Sequence, residues 1–259
     1  MNPLRLRLTQ PTLRDGGIEE NLAKVLHIIA TSADVADLVV FPETCISGFP
    51  TPENVGRLAE SLDGASISAV RHAARQAGVS VIIGFAEADQ GRYFNAALLV
   101  DETGRICLHY RKTCLYESDD GVFEAGTRFP VCDWHGIRVG LLICFDIEFP
   151  APACKLARQG ADLIVLVDGM MHPDSHVHRQ AIPVRAMDHR LFIAMANRVG
   201  QGDRYCFSGE SHVADPTGKT VALASSENEA VIDIVLDTDQ VAQTHAKTRH
   251  LTGYLIEGI

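Results

Sequence analysis

Three reactive side chains, far apart in the chain, each stand directly after an apolar run that predicts a buried strand. Glu43 follows ADLVVFP, Lys112 follows ICLHYR, and Cys144 follows IRVGLLI. At a strand end that faces a cleft, a carboxylate can act as acid and base, an ammonium can stabilise negative charge, and a thiol can act as nucleophile. A free thiol has a pKa of about 8.5, so a cysteine enzyme needs a base and a positive field to form the attacking thiolate. Glu43 and Lys112 have the chemistry to supply both.

Each of these residues also has a purely structural interpretation. A cysteine after GLLI is often a buried core residue. Glu43 is either partly buried with a raised pKa or an ordinary carboxylate at the end of a strand. Lys112 could be solvated beside Arg111, although alternation along the strand places the two on opposite faces, with one facing the cleft and the other facing water. We call each of these residues with its flanking sequence a frame. The three frames together favour catalysis, whereas no single frame does.

The elements that must position these residues alternate between strand and helix. The periodicity predicts a βαβαβ opening through LRLRLTQ, IEENLAKVLHIIA, ADLVVF, ASISAVRHAARQAG and VSVIIGFAEA. It then predicts strands FNAALLV, RICLHYR and IRVGLLIC, a helix PAPACKLARQGA, a strand DLIVLV, a helix over 183–189, a strand LFIAMAN and a hairpin turned at Pro216-Thr217-Gly218. Strands buried by outer helices predict a layered α/β architecture, and the lack of a linker rich in Pro, Gly or Ser predicts one domain over residues 1–259.

Composition narrows the class of protein. The 259 residues are 46% hydrophobic and 22% charged, which is typical of a globular protein with a sizeable core. A formal net charge of −10 argues against a nucleic acid partner, and apolar runs such as LIVLV are too short to span a membrane. The N-terminus lacks a secretory pattern, and seven cysteines without a CxxC pair predict free thiols. We therefore expect a cytoplasmic protein.

The three frames resemble those of the nitrilase superfamily of carbon–nitrogen hydrolases. Members carry a PE frame after an apolar strand, a YRK frame, and a Cys followed by an aromatic residue, Asp and a later FP. The matching positions here are Pro42-Glu43, Tyr110-Arg111-Lys112, Cys144-Phe145-Asp146 and Phe149-Pro150. The segments ENLAKVL, GADLIVLV, VRAMDHRLFIAMANRVG and FSGESHVADPTG also fall in the family's order, so the resemblance covers nearly the whole chain.

The resemblance implies a fold and a mechanism. The fold is a four-layer α-β-β-α sandwich with two mixed β-sheets, which often pairs into a homodimer. In the implied mechanism Glu43 accepts the thiol proton of Cys144, and the thiolate attacks the carbonyl of a small amide to form a thioester. Lys112 and the main-chain N–H after the cysteine hold the oxyanion, and Glu43 then activates the water that releases the acid. No metal or organic cofactor is implied.

A second carboxylate, seven residues after the lysine, helps to orient that lysine in many relatives. A gapless alignment places Asp119 at this position, one methylene shorter than the usual Glu, and Glu117 is the competing candidate. Cys114 stands where the family usually has His. Cys45 and Cys114 each follow a candidate catalytic residue by two positions, so in extended backbone they would share its side of the strand and form either a redox-sensitive thiol cluster or small apolar filler.

The substrate is less sharply defined by the sequence. Nitrile-cleaving members usually have Trp-Glu after the cysteine, whereas Phe145-Asp146 resembles the amidase and carbamoylase branches. Amide hydrolysis is therefore expected, with N-carbamoyl-amine or nitrile hydrolysis as alternatives. Glu148, where many relatives have Arg, is either a contact for a cationic or polar substrate group or a solvated carboxylate at a helix start. Candidate substrate contacts are Phe145, Glu148, His172 and Glu117.

The segment HPDSHVH supplies a competing hypothesis of a different class. His172, His176 and His178 are close enough in sequence to suggest a metalloamidase, but their spacing matches no strong zinc pattern. We instead expect this segment to be a loop near the cleft mouth, where a histidine contacts substrate, and we expect no metal. A non-catalytic binding protein is disfavoured because all three reactive residues are present.

Overall fold

Two six-stranded β-sheets pack face to face and helices cover their outer surfaces in the computed structural model, which describes residues 3–248. The strands are β1 (Leu4–Gln10), β2 (Leu38–Val40), β3 (Ser80–Asp89), β4 (Arg92–Val100), β5 (Ile106–Arg111), β6 (Val131–Trp134), β7 (Ile137–Ile143), β8 (Leu163–Asp168), β9 (Phe192–Asn197), β10 (Val199–Gln201), β11 (Cys206–Ser208), β12 (His212–Ala214), β13 (Thr220–Leu223) and β14 (Ala230–Leu236). The helices are α1 (Ile18–Ala30), α2 (Val55–Leu58), α3 (Ala65–Ala77), α4 (Pro150–Arg158), α5 (Ser175–His189) and α6 (Asp239–Thr248), with short 3₁₀ helices at Glu117–Asp119 and Cys144–Glu148.

Both sheets are mixed. The first has the strand order β14-β1-β2-β3-β4-β5, and the second has the order β13-β12-β9-β8-β7-β6. Strands β1, β2 and β3 run parallel, as do β7, β8 and β9, while the outer strands of each sheet pair antiparallel. The predicted four-layer α-β-β-α sandwich with two mixed sheets is confirmed.

Alternation along each strand of the first sheet divides its side chains between two cores. On β2, Leu38 and Val40 enter the core between the sheets, whereas Val39 enters the core beneath the helices α1 and α3. Helix α1 presents Val25 and Ile29, four residues apart, to that outer core. Each such buried aliphatic side chain stabilises the fold by roughly 1.5–3 kcal/mol, so the two cores fix the sheets that carry the site.

The topology brings the ends of several strands to one edge of the sandwich. Glu43 lies just after β2 and Lys112 just after β5, which runs in the same direction as β2 because two antiparallel pairings separate β3 from β5. In the facing sheet, Cys144 follows β7, and Asp168 ends the parallel neighbour β8. Carboxyl ends of parallel strands form the usual binding edge of α/β proteins.

The helix predicted over residues 183–189 is longer in the structure. Helix α5 begins at Ser175 and contains Pro183 in its interior, so part of the HPDSHVH segment is helical and the expectation of a loop holds only before Ser175. A proline usually marks the first turn of a helix, which is why the sequence placed the start too late. Burial of His178, Ile182 and Ala186 against the second sheet holds the earlier turns in place. Within residues 3–248, no helix is long and apolar enough to cross a membrane.

Candidate active site

Lys112 lies between two buried carboxylates. Its Nζ is 2.9 Å from Oε1 of Glu43 and 2.8 Å from Oδ2 of Asp119, and all three side chains are almost fully inaccessible to water. Burial alone would lower the pKa of Lys112, but the charges of Glu43, Cys144 and Asp119 raise it well above its usual value. The lysine is therefore a permanent cation fixed in position by two acceptors.

Glu43 is held in a short, tightly packed loop after β2. The main chain of Gly84 on β3 lies against this loop, and a Cβ at that glycine would approach Cα of Glu43 to 2.7 Å. Nδ2 of Asn95 on β4 donates a 2.6 Å hydrogen bond to Oε1, while Oε2 is buried without a partner in the described structure. Burial raises the pKa of Glu43 to about 7, with Lys112 opposing the rise. A carboxyl with this pKa can both accept and return a proton near neutrality.

Cys144 stands where β7 passes into a 3₁₀ helix, with a φ of 43° and 8% of its surface exposed. A positive φ is strained for a residue with a side chain, and such residues cluster at functional sites. The buried carboxylate of Asp146 holds this turn, because its oxygens accept hydrogen bonds from the N–H of Ile143 at 3.0 Å and from the hydroxyl of Tyr110 at 2.7 Å. Burial and the charge of Glu43 raise the pKa of the Cys144 thiol well above its usual value. The resting sulfur is therefore a thiol that needs a base.

A second buried charged group adjoins the thiol from the other side. Nδ1 of His178 is 2.9 Å from Oδ2 of Asp168, and its Nε2 is 3.3 Å from Oε1 of Glu148. Burial would lower the pKa of His178, but Asp168 and Glu148 raise it to about 9. His178 is therefore an imidazolium at neutral pH, and it bridges the two carboxylates.

The donor atoms of Cys144, Asp168 and His178 lie within 4.8 Å of one another, which is the one metal-like group found among residues 3–248. Both ring nitrogens of the histidine are engaged by carboxylates, so the ring serves as a bridge and presents no free nitrogen to an ion. His172 and His176 are exposed, whereas His178 is buried. The three histidines of the metalloamidase hypothesis therefore do not converge on one point.

Aromatic side chains stand beside the charged groups. Phe145 packs edge-on against Tyr116 with ring centroids 5.3 Å apart and against Phe149 with centroids 5.0 Å apart. The main-chain N–H of Tyr116 donates to Oδ2 of Asp119 at 2.9 Å, so the aromatic wall and the acid are held together. Glu117 points to solvent, which places Asp119 and not its neighbour against the lysine. A small cavity of about 30 Å³ lies beside Asp119.

The two other cysteines in question, Cys45 and Cys114, have different environments. Cys45 is fully buried in the core beneath α1 and α3, and burial raises the pKa of its thiol to about 12. The expectation that extended geometry would place it beside the catalytic residues is wrong, because Thr44 turns the chain with a φ of 42°. Cys114 is half-buried, and its N–H donates to Asp146 at 2.9 Å.

A larger cavity, of about 620 Å³, lies elsewhere. It is lined by residues that include Leu4, Asp37 and Trp134. Leu4 begins β1 and Asp37 immediately precedes β2, so this groove is at the opposite end of the strands from Glu43. It contains none of the reactive residues described above.

Three participants in this arrangement were not assigned to the site from the sequence. Asp168 directly follows the apolar run DLIVLV. It therefore has the same pattern, a reactive residue after a predicted strand, that identified Glu43, Lys112 and Cys144. Asn95 is a buried polar residue inside a strand, a signal too common to use alone. His178 was grouped with its neighbouring histidines, and its separation from them depends on where α5 begins.

Comparisons with known proteins agree with this geometry. The family model of carbon–nitrogen hydrolases matches residues 5–246. An (R)-stereoselective amidase from Pseudomonas sp. is 43% identical over 239 residues, which are 92% of this chain and 86% of that protein. The crystal structure of an amidase from Nesterenkonia sp. is 25% identical, with a TM-score of 0.86 over 96% of this chain and 95% of that chain.

A further solved structure bears on the cysteine. It is a mutant of the amidase from Nesterenkonia sp. AN1, with 25% identity and a TM-score of 0.85 over 96% of this chain and 99% of that chain. That structure shows the result of Michael addition of acrylamide at the active-site cysteine of the Nesterenkonia protein. With a family match that spans nearly its whole length, this chain belongs to the carbon–nitrogen hydrolase family, as the sequence motifs predict.

Proposed function

We propose that this chain hydrolyses the carbon–nitrogen bond of a small amide and releases ammonia or an amine, with a thioester on Cys144 as the intermediate. The observation that carries the proposal is a buried, strained cysteine at a strand end beside the chain Glu43–Lys112–Asp119. Similarity to amidases, at 43% identity for the protein from Pseudomonas sp., supports the amide as substrate.

In the first half-reaction Glu43 accepts the thiol proton as the sulfur attacks the carbonyl carbon. The unpartnered Oε2 of Glu43 is the acceptor, since Oε1 already receives two hydrogen bonds. Negative charge moves onto the carbonyl oxygen, where Lys112 and the main-chain N–H of Phe145 stabilise it. The carbon–nitrogen bond then breaks, and Glu43 gives its proton to the leaving nitrogen.

In the second half-reaction water hydrolyses the thioester. Glu43, again a carboxylate, takes a proton from water, and the oxygen attacks the thioester carbon. The carbon–sulfur bond breaks, the proton passes to the sulfur, and the free thiol is restored. Asp119 takes no proton in this cycle; it keeps Lys112 charged and aimed at the oxyanion. No step requires a metal ion or an organic cofactor.

Ammonia release from a panel of small amides, carbamoyl amines and nitriles tests the proposal. We expect turnover of amides and none in Cys144→Ala, whose fold should persist because the change removes one sulfur atom. Peptide mapping after iodoacetamide should show an adduct at Cys144 beside that at the exposed Cys206, and only the Cys144 adduct should be missing in Cys144→Ala. Full activity of Cys144→Ala on amides would overturn the assignment, and turnover confined to carbamoyl amines or nitriles would transfer the protein to that reaction.

We propose further that residues 1–259 act as one hydrolase domain and pair as a cytoplasmic homodimer. The single domain is supported by the site itself, which takes Glu43 from one sheet and Cys144 from the other. The dimer is supported by exposed apolar side chains of Val184 and Met187 on α5. Light scattering at micromolar concentration tests the dimer, and a monomer mass would contradict it.

A further inference from the structure

We propose that the substrate is an amide of an amino acid, with an ammonium group a few bonds from the scissile carbonyl, and that Glu148 binds this ammonium. The inference rests on the proposed amide hydrolysis and adds the class of substrate. It depends on three features of the described structure: the charge balance around the sulfur, the accessibility of one carboxylate, and the aromatic wall beside it.

The charged side chains around the sulfur do not balance. The two buried cations Lys112 and His178 contact four carboxylates, those of Glu43, Asp119, Asp168 and Glu148. Even when Glu43 holds a proton, the carboxylates outnumber the cations. A region of low dielectric with excess negative charge favours a cationic ligand. A neutral amide would leave this excess uncompensated.

Glu148 is the carboxylate that a ligand can reach. Its side chain is 27% exposed, whereas the side chains of Glu43, Asp119 and Asp168 are at most 1% exposed. In the described part of the chain its recorded ionic partner is His178, at 3.3 Å from one oxygen. Arg185 lies nearby, but it donates to the main-chain oxygen of Glu148 at 3.1 Å and pairs with Asp188. The second carboxylate oxygen of Glu148 therefore has capacity for an ammonium.

The position of Glu148 relative to the sulfur suits a short amino acid. His178 contacts Asp168 through one ring nitrogen and Glu148 through the other, and its donor atom nearest the thiol lies within 4.8 Å of it. The imidazole ring of His178 therefore separates Glu148 from Asp168, the carboxylate that adjoins the thiol.

The aromatic wall completes a site for an organic cation. Tyr116, Phe145 and Phe149 pack in series, and Phe149 directly follows Glu148 in sequence. Aromatic faces attract ammonium groups and also cover the short hydrocarbon that joins ammonium to carbonyl. A carboxylate-bearing amide would instead meet the excess negative charge and be repelled.

Matched substrates test the proposal. At about pH 7, where its amine is protonated, 3-aminopropanamide should have a kcat/KM about tenfold or more above that of butanamide, which has a methyl group in place of the ammonium. Alaninamide should exceed 2-methylpropanamide in the same way, and succinamate, which carries a carboxylate, should be the poorest substrate. A ratio at or below one for both ammonium pairs would overturn the proposal.

Variants then assign the binding residue. In Glu148→Gln the ratio for 3-aminopropanamide over butanamide should fall toward one. The control Asp133→Asn, which also removes one negative charge but at an exposed side chain of β6, should keep the wild-type ratio. An unchanged ratio in Glu148→Gln would remove Glu148 from the proposal. Because the readout is a ratio, a general loss of activity does not mimic the effect. If the wild type turns over butanamide and iodoacetamide still modifies Cys144, amide hydrolysis is supported even when the enzyme shows no preference for ammonium-bearing substrates.

Discussion

Asn95 donates a 2.6 Å hydrogen bond to the same oxygen of Glu43 that accepts from the ammonium of Lys112. Two donors therefore fix one oxygen of the carboxylate and leave the other, Oε2, without a partner in the described structure. An unpartnered buried carboxylate oxygen is unfavourable unless a ligand or a reacting group satisfies it. The arrangement makes Glu43 a base with a defined lone pair, aimed by a residue on a neighbouring strand.

Replacement of Asn95 should therefore affect both the rate and its pH dependence. We expect Asn95→Ala to lower kcat about tenfold or more, because a misplaced base loses orientation. A hydrogen bond donated to a carboxylate lowers its pKa, so loss of the donor should also move the acidic limb of the kcat/KM profile to higher pH. Steady-state kinetics across pH measure both effects. A slower enzyme with an unmoved limb would mean that Asn95 acts through folding alone.

Asp119 should be needed mainly in the transition state. Asp119→Asn keeps the shape of the side chain but removes the charge that holds Lys112, 2.8 Å away, toward the oxyanion. We expect kcat and kcat/KM to fall together by on the order of a hundred-fold. Asp119→Glu should retain part of the activity.

Glu117→Gln is the matched control for that experiment, because its carboxylate is exposed and only two residues away. Its activity should stay within about twofold of the wild type, as for most surface substitutions. A large loss of activity in Glu117→Gln together with little loss in Asp119→Asn would instead assign Glu117 as the second acid.

The pH dependence of kcat/KM for the wild type should reveal the pKa of Glu43. Burial raises the pKa of this carboxyl to about 7. Glu43 must be ionised to take the thiol proton, so kcat/KM should rise with pH through an acidic limb near 7 and not near the usual value for Glu. A limb near pH 4.5 would mean that Glu43 keeps its ordinary pKa of 4.5 and is not the group that limits the reaction.

The positions of Glu43, Lys112 and Cys144 could be predicted because each depends on a local pattern, an apolar strand followed by a turn. Their spatial convergence follows once β2, β5 and β7 end at the same edge. The face-to-face packing of the two sheets could not be derived from periodicity, since it depends on contacts between distant segments such as those of Leu8 and Leu141 in the shared core. It came from the resemblance to a family.

The remainder of the site depends on tertiary structure that no local pattern contains. His178 reaches Asp168 because α5 begins at Ser175 and turns that residue inward, although four of its neighbours in HPDSHVH are exposed. Cys45 was misplaced for a related reason. One residue with positive φ, Thr44, reverses the side to which the next side chain points. Local strain of this kind is invisible in a hydrophobic pattern.

The ion pair of His178 should make stability depend on pH in a defined window. Its pKa is raised from 6.5 to about 9 in the folded protein, so folding favours the imidazolium. This contribution is fully present below pH 6.5 and is lost as pH rises through about 9. At about 1.4 kcal/mol per pKa unit, the shift from 6.5 to about 9 corresponds to roughly 3 to 4 kcal/mol. Melting temperatures measured from about pH 6 to 10 should therefore fall more steeply for the wild type than for His178→Gln, which lacks the titrating group.

His176→Gln, which removes an exposed histidine of the same helix, should behave like the wild type. Parallel curves for the wild type and His178→Gln would show that the imidazolium is not stabilised between Asp168 and Glu148.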